Sequence, residues 1–430
     1  MRLTAKLLLP LLMAAFICGC SGTDSGTLTL AIGGAPDEIA YWERLISRFE
    51  LDNDIEVNIL RQPTDTDQRR QGLLIALKSG QADPDVFLMD VAWLAQFAAS
   101  NWLEALDSML ESGSVSEAAF FERILNRADR YRNQLVAFPV YVDGGVLYYR
   151  TDLLAAHGFK SPPETWAELV ETSRAIQEKE RKNNPYFYGY LWQGAQYEGL
   201  VCNFLEVAAS GGGGIIEKEN RILVASPENI RAAKLMKDFI HKYEISPPST
   251  YTEMKEEETR LFFQRGQALF ERNWPYAWLL HQQEESAVKG VVGIATLPHF
   301  EGGRSVSTLG GWHIGLSRFS DRKDDARTLI KFILSYETQK ALALNLGWTP
   351  GRRDVYRDSL VLASLPHLAD LAEAFENALP RPNFPYYTQI SEILQRHLNA
   401  ILSGESEAER ALGAAEREIN EMAGRYRDTP

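Results

Sequence analysis

The chain has 430 residues, 45% of them hydrophobic and 24% charged, with a formal net charge of −13. That balance excludes a disordered chain and a multi-span membrane protein, and the acidity argues against nucleic acid, whose phosphates demand a basic surface that the sequence nowhere assembles. The length exceeds the roughly 250–300 residues at which a single core stops growing, so two lobes are expected.

The amino terminus carries Arg2 and Lys6, then an apolar run from Leu7 to Phe16, then Ile17-Cys18-Gly19 before Cys20. The run is shorter than the roughly 18 residues of a membrane span, and polar residues 21–26 follow at once. The pattern resembles a bacterial lipoprotein signal. That resemblance implies removal of residues 1–19, lipidation (palmitate) at Cys20, an anchor linker over 20–27, and a place outside the cytoplasm on the cell membrane. Cys202 is then the only free thiol, so no internal disulfide forms. It sits in the apolar helical run Leu200–Leu205, which points to a buried structural cysteine rather than a nucleophile.

Thr27 to Ile32 alternates as a strand, and Ile39, Trp42, Leu45, Ile46 and Phe49 recur at helical spacing before a second strand, Ile55 to Leu60. The unit repeats: a helix over 68–79 closed by Gly80, then a buried strand over 85–89. Such alternation predicts an α/β fold with mainly parallel sheets, and ligands bind beyond the carboxyl ends of their strands. A second region starts near Gly144, with helix starts at Ser161-Pro162-Pro163-Glu164 and Ser226-Pro227-Glu228. Gly211 to Gly214 lacks the Gly-Lys-Ser/Thr of a phosphate loop and reads as a helix stop. Strands over 291–295 and 312–317 lead into helices over 324–336 and 338–346, and helices dominate to the end, including an amphipathic one over 405–426. The lobes are expected over 28–140 plus 294–346 and over 144–293 plus 349–430, joined by a hinge that the chain crosses more than once.

Enzyme signatures are missing: there is no Gly-x-Ser-x-Gly, His-Glu-x-x-His, Walker or Cys-x-x-Cys motif, and the seven histidines are scattered. What accumulates instead, in loops and at strand ends, is Trp, Tyr, Asp and Arg. Aromatic rings lie against the C–H faces of a pyranose, while carboxylates and guanidinium groups pair with its hydroxyls. The segments are Arg61–Arg70, Met89–Trp93, Phe138–Arg150, Asn273–Tyr276, Gly310–His313 and Pro380–Pro382. In this order they resemble the trehalose/maltose-binding type of family 1 solute-binding protein, the receptor of sugar-importing ABC transporters, over nearly the whole chain from Thr27.

The resemblance implies a two-lobed periplasmic-binding-protein-like fold (type II), a monomer that closes on a di- or oligosaccharide and delivers it to permease subunits, with no cofactor, metal or catalytic residue. Carried over residue by residue, it implies that Arg69, Asp90 and Asp143 hold hydroxyls with Tyr141 beside the last. Trp274, Tyr276 and Trp312 form aromatic walls, Gly311 presents backbone, and Arg381 closes the site from the second lobe. Asp37 and Glu38 compete for a first acidic contact, with Asp37 preferred.

Each residue also has a plainer reading. Asp90 could cap a helix, Trp274 and Tyr276 could be core at a helix start, Gly311 could mark a bulge, and Arg69 and Arg70 could form a solvated helix face. Trp42, Trp93, Trp192 and Trp348 are left as core or rim. Two other classes remain open: an exported carbohydrate-active hydrolase, whose paired carboxylates would flank one glycosidic bond, and a sugar-sensing lipoprotein.

Overall fold

The computed structural model describes residues 26–376 and 378–427; Cys20, the leader before it and most of the linker lie outside them. A five-stranded mixed sheet has the order Val57–Gln62, Leu28–Gly33, Val86–Asp90, Leu309–Leu316, Phe138–Gly144, in which the first three strands are parallel and Leu309–Leu316 runs antiparallel to both neighbours. The penultimate place in the sheet is thus filled by a strand that returns only after the chain has built the second lobe. There, a four-stranded sheet is ordered Val292–Ala295, Val146–Arg150, Ala268–Asn273, Tyr188–Leu191.

The sequence patterns fold as their periods dictate. Helix Pro36–Asn53 buries Ile39, Trp42, Leu45, Ile46 and Phe49, the residues spaced for one face, and begins with proline, whose missing N–H costs nothing there. Ser226 accepts a hydrogen bond from Asn229 N, and Pro227 opens the helix Pro227–His241. The start expected at Ser161 comes later: Thr165 caps Trp166–Glu180 with Glu168 completing a capping box. A Thr-x-x-Glu reciprocal pair satisfies two orphan N–H groups, whereas serine before two prolines satisfies neither. Gly211 to Gly214 does follow the end of helix Glu198–Ala209.

One buried cluster fills the first lobe around Trp42, Phe49, Phe138 and Ile314, and another the second around Trp166, Phe204, Phe239 and Leu394. A third spans the junction, joining Phe121 and Val142 to Tyr148, Leu191, Val355 and Phe375. Two expected lobe limits move. Ile294 and Ala295 pair with Tyr148 and Leu147 in the second sheet, so the return to the first lobe comes at Leu309 rather than at 294. The third crossing is not at Trp348 either: Leu379 pairs with the Ser307–Leu309 backbone, and the chain then enters helix Tyr387–Leu402 of the second lobe. Thr349 instead stays beside Val142 and Asp143, and residues 355–375 pack into the junction cluster. Among the described residues no helix is long and apolar enough to cross a membrane.

Candidate functional site between the lobes

The first-lobe wall is set by strand ends. Glu38 stands at the third position of its helix and reaches back, its Oε2 accepting from Ala35 N at 2.7 Å while Oε1 accepts from Trp348 Nε1 at 3.2 Å. Burial raises its pKa, opposed by those donors and by the Arg69 charge. Asp37, one residue earlier, is exposed on the helix surface. Of the two competing acids the structure thus sets Glu38, not the preferred Asp37, beside Trp348 and Arg69: the N3 position allows a side chain to fold back over the helix start.

Arg69 and Arg70 are both buried, so neither belongs to a solvated face. Arg69 donates through Nε to Pro63 O at 2.5 Å and lies 4.4 Å over the Trp312 ring, a cation held against an indole. A methyl group at Gly33 would fall 2.5 Å from that Nε, which explains glycine at the end of the first strand. Arg70 turns to the other lobe and pairs with Glu392 at 2.7 Å.

Asp90 takes the capping role and adds an ion pair. Its Oδ1 caps the turn Val91–Trp93 through Ala92 N at 2.8 Å and accepts from Arg381 Nη2 at 2.7 Å. Asp143 is buried, with Oδ1 accepting from Thr349 Oγ1 at 2.6 Å. Burial pushes its pKa up to about 7; the neighbouring Asp90 and Glu38 carboxylates add to this, against the pull of Thr349 and Arg272. Tyr141 packs against Trp348 with ring centroids 4.2 Å apart and the planes tilted by 35°. Trp348 is buried, backing Tyr141 and donating to Glu38.

The second lobe supplies Trp274 and Tyr276, both half-buried, and neither is simple core. Trp274 Nε1 donates to Glu256 Oε1 at 3.2 Å, and the Tyr276 hydroxyl to Glu257 Oε1 at 2.6 Å. Trp274 reaches the first sheet, where a methyl group at Gly310 would come 2.8 Å from its ring. Gly311 has a φ of 119°, and a methyl group there would sit 2.3 Å from Tyr141 O. Its glycine thus answers backbone crowding inside the sheet, next to the register shift at Trp312, and it is Gly310 that leaves room in the cleft.

Arg381 is nearly inaccessible. It spans the lobes, with Nη2 on Asp90 and Nη1 on Glu198 at 2.9 Å, and Glu198 also accepts from Tyr387 and Ser391. Expected to close the site from the second lobe, it stands there as a strut between Asp90 and Glu198, with Nε alone left without a partner. Lys255 and Asp65 form a further pair across the gap at 2.5 Å. A surface recess of about 650 Å3 on the second lobe, lined by Ser210, Gly211, Arg231 and Arg304, contains none of these groups.

Sequence reasoning missed Glu198, Glu256, Glu257, Arg272 and Thr349. The three acids Glu256 to Glu258 open a helix, where acidic residues complement the helix dipole in any protein, so nothing in the sequence separated them from a solvated end.

Two α/β lobes joined by three crossings, with aromatic rings, carboxylates and guanidinium groups converging on the gap, define a cleft-type small-molecule binding protein. The chain belongs to the bacterial extracellular solute-binding protein family, whose model matches residues 35–340. It is 33% identical over 373 residues to a probable ABC transporter-binding protein of Deinococcus radiodurans, covering 86% of this chain and 87% of the relative. It is 23% identical to the maltotriose-binding protein of Pyrococcus abyssi, over 90% of this chain and 79% of that one. The solved structure of maltose-bound T. maritima MalE3 superposes with a TM-score of 0.87 at 37% identity, covering 92% of this chain and 99% of that one. These relatives bear the names of binding proteins, not enzymes.

Proposed function

We propose that the chain is the extracytoplasmic receptor of an ABC sugar importer. In this reading it closes on a di- or oligosaccharide of the trehalose/maltose kind and presents the closed form to permease subunits, held at the membrane by lipid on Cys20. The observation that carries the reading is the meeting of Glu38, Arg69, Asp90, Asp143, Trp312 and Trp274 at one gap between two lobes. Hydrogen bonds to charged groups contribute roughly 1.5–3 kcal/mol each. A few of them plus one or two rings reach micromolar affinity, about 8 kcal/mol, after ordering costs. The names borne by the maltose- and maltotriose-binding relatives support an α-glucoside over a monosaccharide.

Titration calorimetry against maltose, maltotriose, trehalose and sucrose tests the reading. Stoichiometric binding with the sugar recovered intact supports a receptor; released glucose would instead support the hydrolase. Trp274→Ala and Asp143→Ala should each weaken binding at least tenfold with the fold preserved, and wild-type affinity in both would refute the site. Labelled palmitate should enter the wild-type chain in cells and be lost in Cys20→Ser.

A further inference from the structure

Arg272 is completely buried and cannot touch a ligand, yet it stands behind the second-lobe wall. Its guanidinium carbon lies 4.0 Å from the Trp274 ring centroid, and its Nε and Nη2 form a two-point pair with Glu206 at 2.9 and 2.6 Å. Gln193 takes Nη1 at 3.0 Å, so every nitrogen of the guanidinium is engaged and its plane is fixed. The pair is also bound to the hinge. Glu206 Oε1 accepts from the backbone N of Thr308, one residue before the strand that re-enters the first lobe. A methyl group at Gly145, in the first crossing, would fall 2.2 Å from Glu206 Oε1 and 2.6 Å from Arg272 Nη2. Ser307 Oγ donates to Gly145 O at 2.7 Å, joining the two crossings, and Leu379 N donates to Ser307 O, adding the third.

We infer that Arg272 is a positioning residue: with Glu206 it fixes the plane of the Trp274 indole and ties that plane to the hinge strands, so that the ring's pose and the pivot are set by one rigid unit. The consequence for affinity rests on the sugar-binding reading, while the mechanical claim does not. A buried ion pair is poor evidence for stability, because desolvation offsets its attraction. A charged pair placed under the ring and across the hinge supplies orientation, which an apolar replacement cannot.

The test uses Arg272→Met combined with Glu206→Gln, which strands no charge and keeps an acceptor for Thr308 N. With maltose as the probe, this double variant should weaken Kd at least fivefold. In a Trp274→Ala background the same pair of substitutions should change Kd less than twofold, since residues that act through one another are not additive. An equal loss with and without Trp274, or no loss at all, overturns the inference. If wild-type protein binds none of the sugars, the functional reading fails on its own. The mechanical claim is then read in the free protein: the Trp274 indole N–H resonance, assigned by its absence in Trp274→Phe, should shift or broaden, and the Thr308 amide should exchange at least tenfold faster. An unmoved indole signal together with unchanged Thr308 exchange refutes it, whatever the melting temperature does.

Discussion

Asp143→Asn separates the cost of the site from its use. The buried carboxyl titrates at about 7 in the folded chain, against 3.8 for an ordinary Asp. Between those values the folded state holds a proton that the unfolded state has released. Stability is therefore full below pH 4 and is lost as pH rises through 7, by on the order of 4 kcal/mol. Asparagine keeps an oxygen for the Thr349 hydroxyl and removes the charge, so the variant should be the more stable protein at pH 8 and equal to wild type near pH 4. Binding should move the other way. An ionised carboxylate accepting from a sugar hydroxyl contributes roughly 1.5–3 kcal/mol, so the variant should bind about 10- to 100-fold more weakly at pH 8. Wild-type affinity should rise as pH climbs through 7, because the bound sugar favours the ionised form, whereas the variant's should stay flat. Urea unfolding and calorimetry at pH 5, 7 and 8.5 measure both sides. A variant less stable at pH 8 that binds as tightly as wild type would refute the reasoning.

Glu38→Gln should weaken sugar binding at least tenfold while Asp37→Asn leaves it within twofold; calorimetry on both decides which acid faces the cleft. Gly311→Ala forces a side chain into a positive-φ position against Tyr141 O and should lose at least ~2 kcal/mol in urea unfolding; a loss under 0.5 kcal/mol would show that the sheet relaxes around it. Burial pushes the Cys202 thiol well up, so in a chain lacking residues 1–19 and carrying Cys20→Ser, a water-soluble maleimide should label nothing in native buffer and one thiol in denaturant. Rapid native labelling would contradict the burial.

What the sequence made legible follows periodicity and local chemistry. The Ile39 to Phe49 stripe, the Ser226-Pro227 start and the first three strands were readable because each is decided within a dozen residues. The lobe limits were not, because they depend on pairing at long range: nothing local distinguishes Val292–Ala295, which stays in the second sheet, from a strand returning to the first. Asp37 and Glu38 differ only by the 100° turn of one helical residue, and so do Arg69 and Arg70. In both cases the structure decides by where the helix axis points, which the flanking letters do not encode.

Asp90 and Arg381 lie 291 positions apart in sequence and meet across the gap. Their pairing alters what closure has to achieve. If the lobes were joined only through the ligand, every contact energy would report on sugar. Here Arg381–Asp90, Arg70–Glu392 and Lys255–Asp65 bridge the lobes without occupying the positions of Trp274, Trp312 or Asp143. Under the proposed closure, part of the closed state's free energy would belong to the protein itself, and a sugar would shift the population only by the difference it makes between open and closed forms. In two of these pairs one partner, Glu392 or Lys255, is exposed or half-exposed and the pair is of modest strength, whereas Arg381–Asp90 is buried. The raised pKa of Asp143 fits the same scheme: burial makes its ionised form costly, and a sugar hydroxyl donating to it would offset that cost.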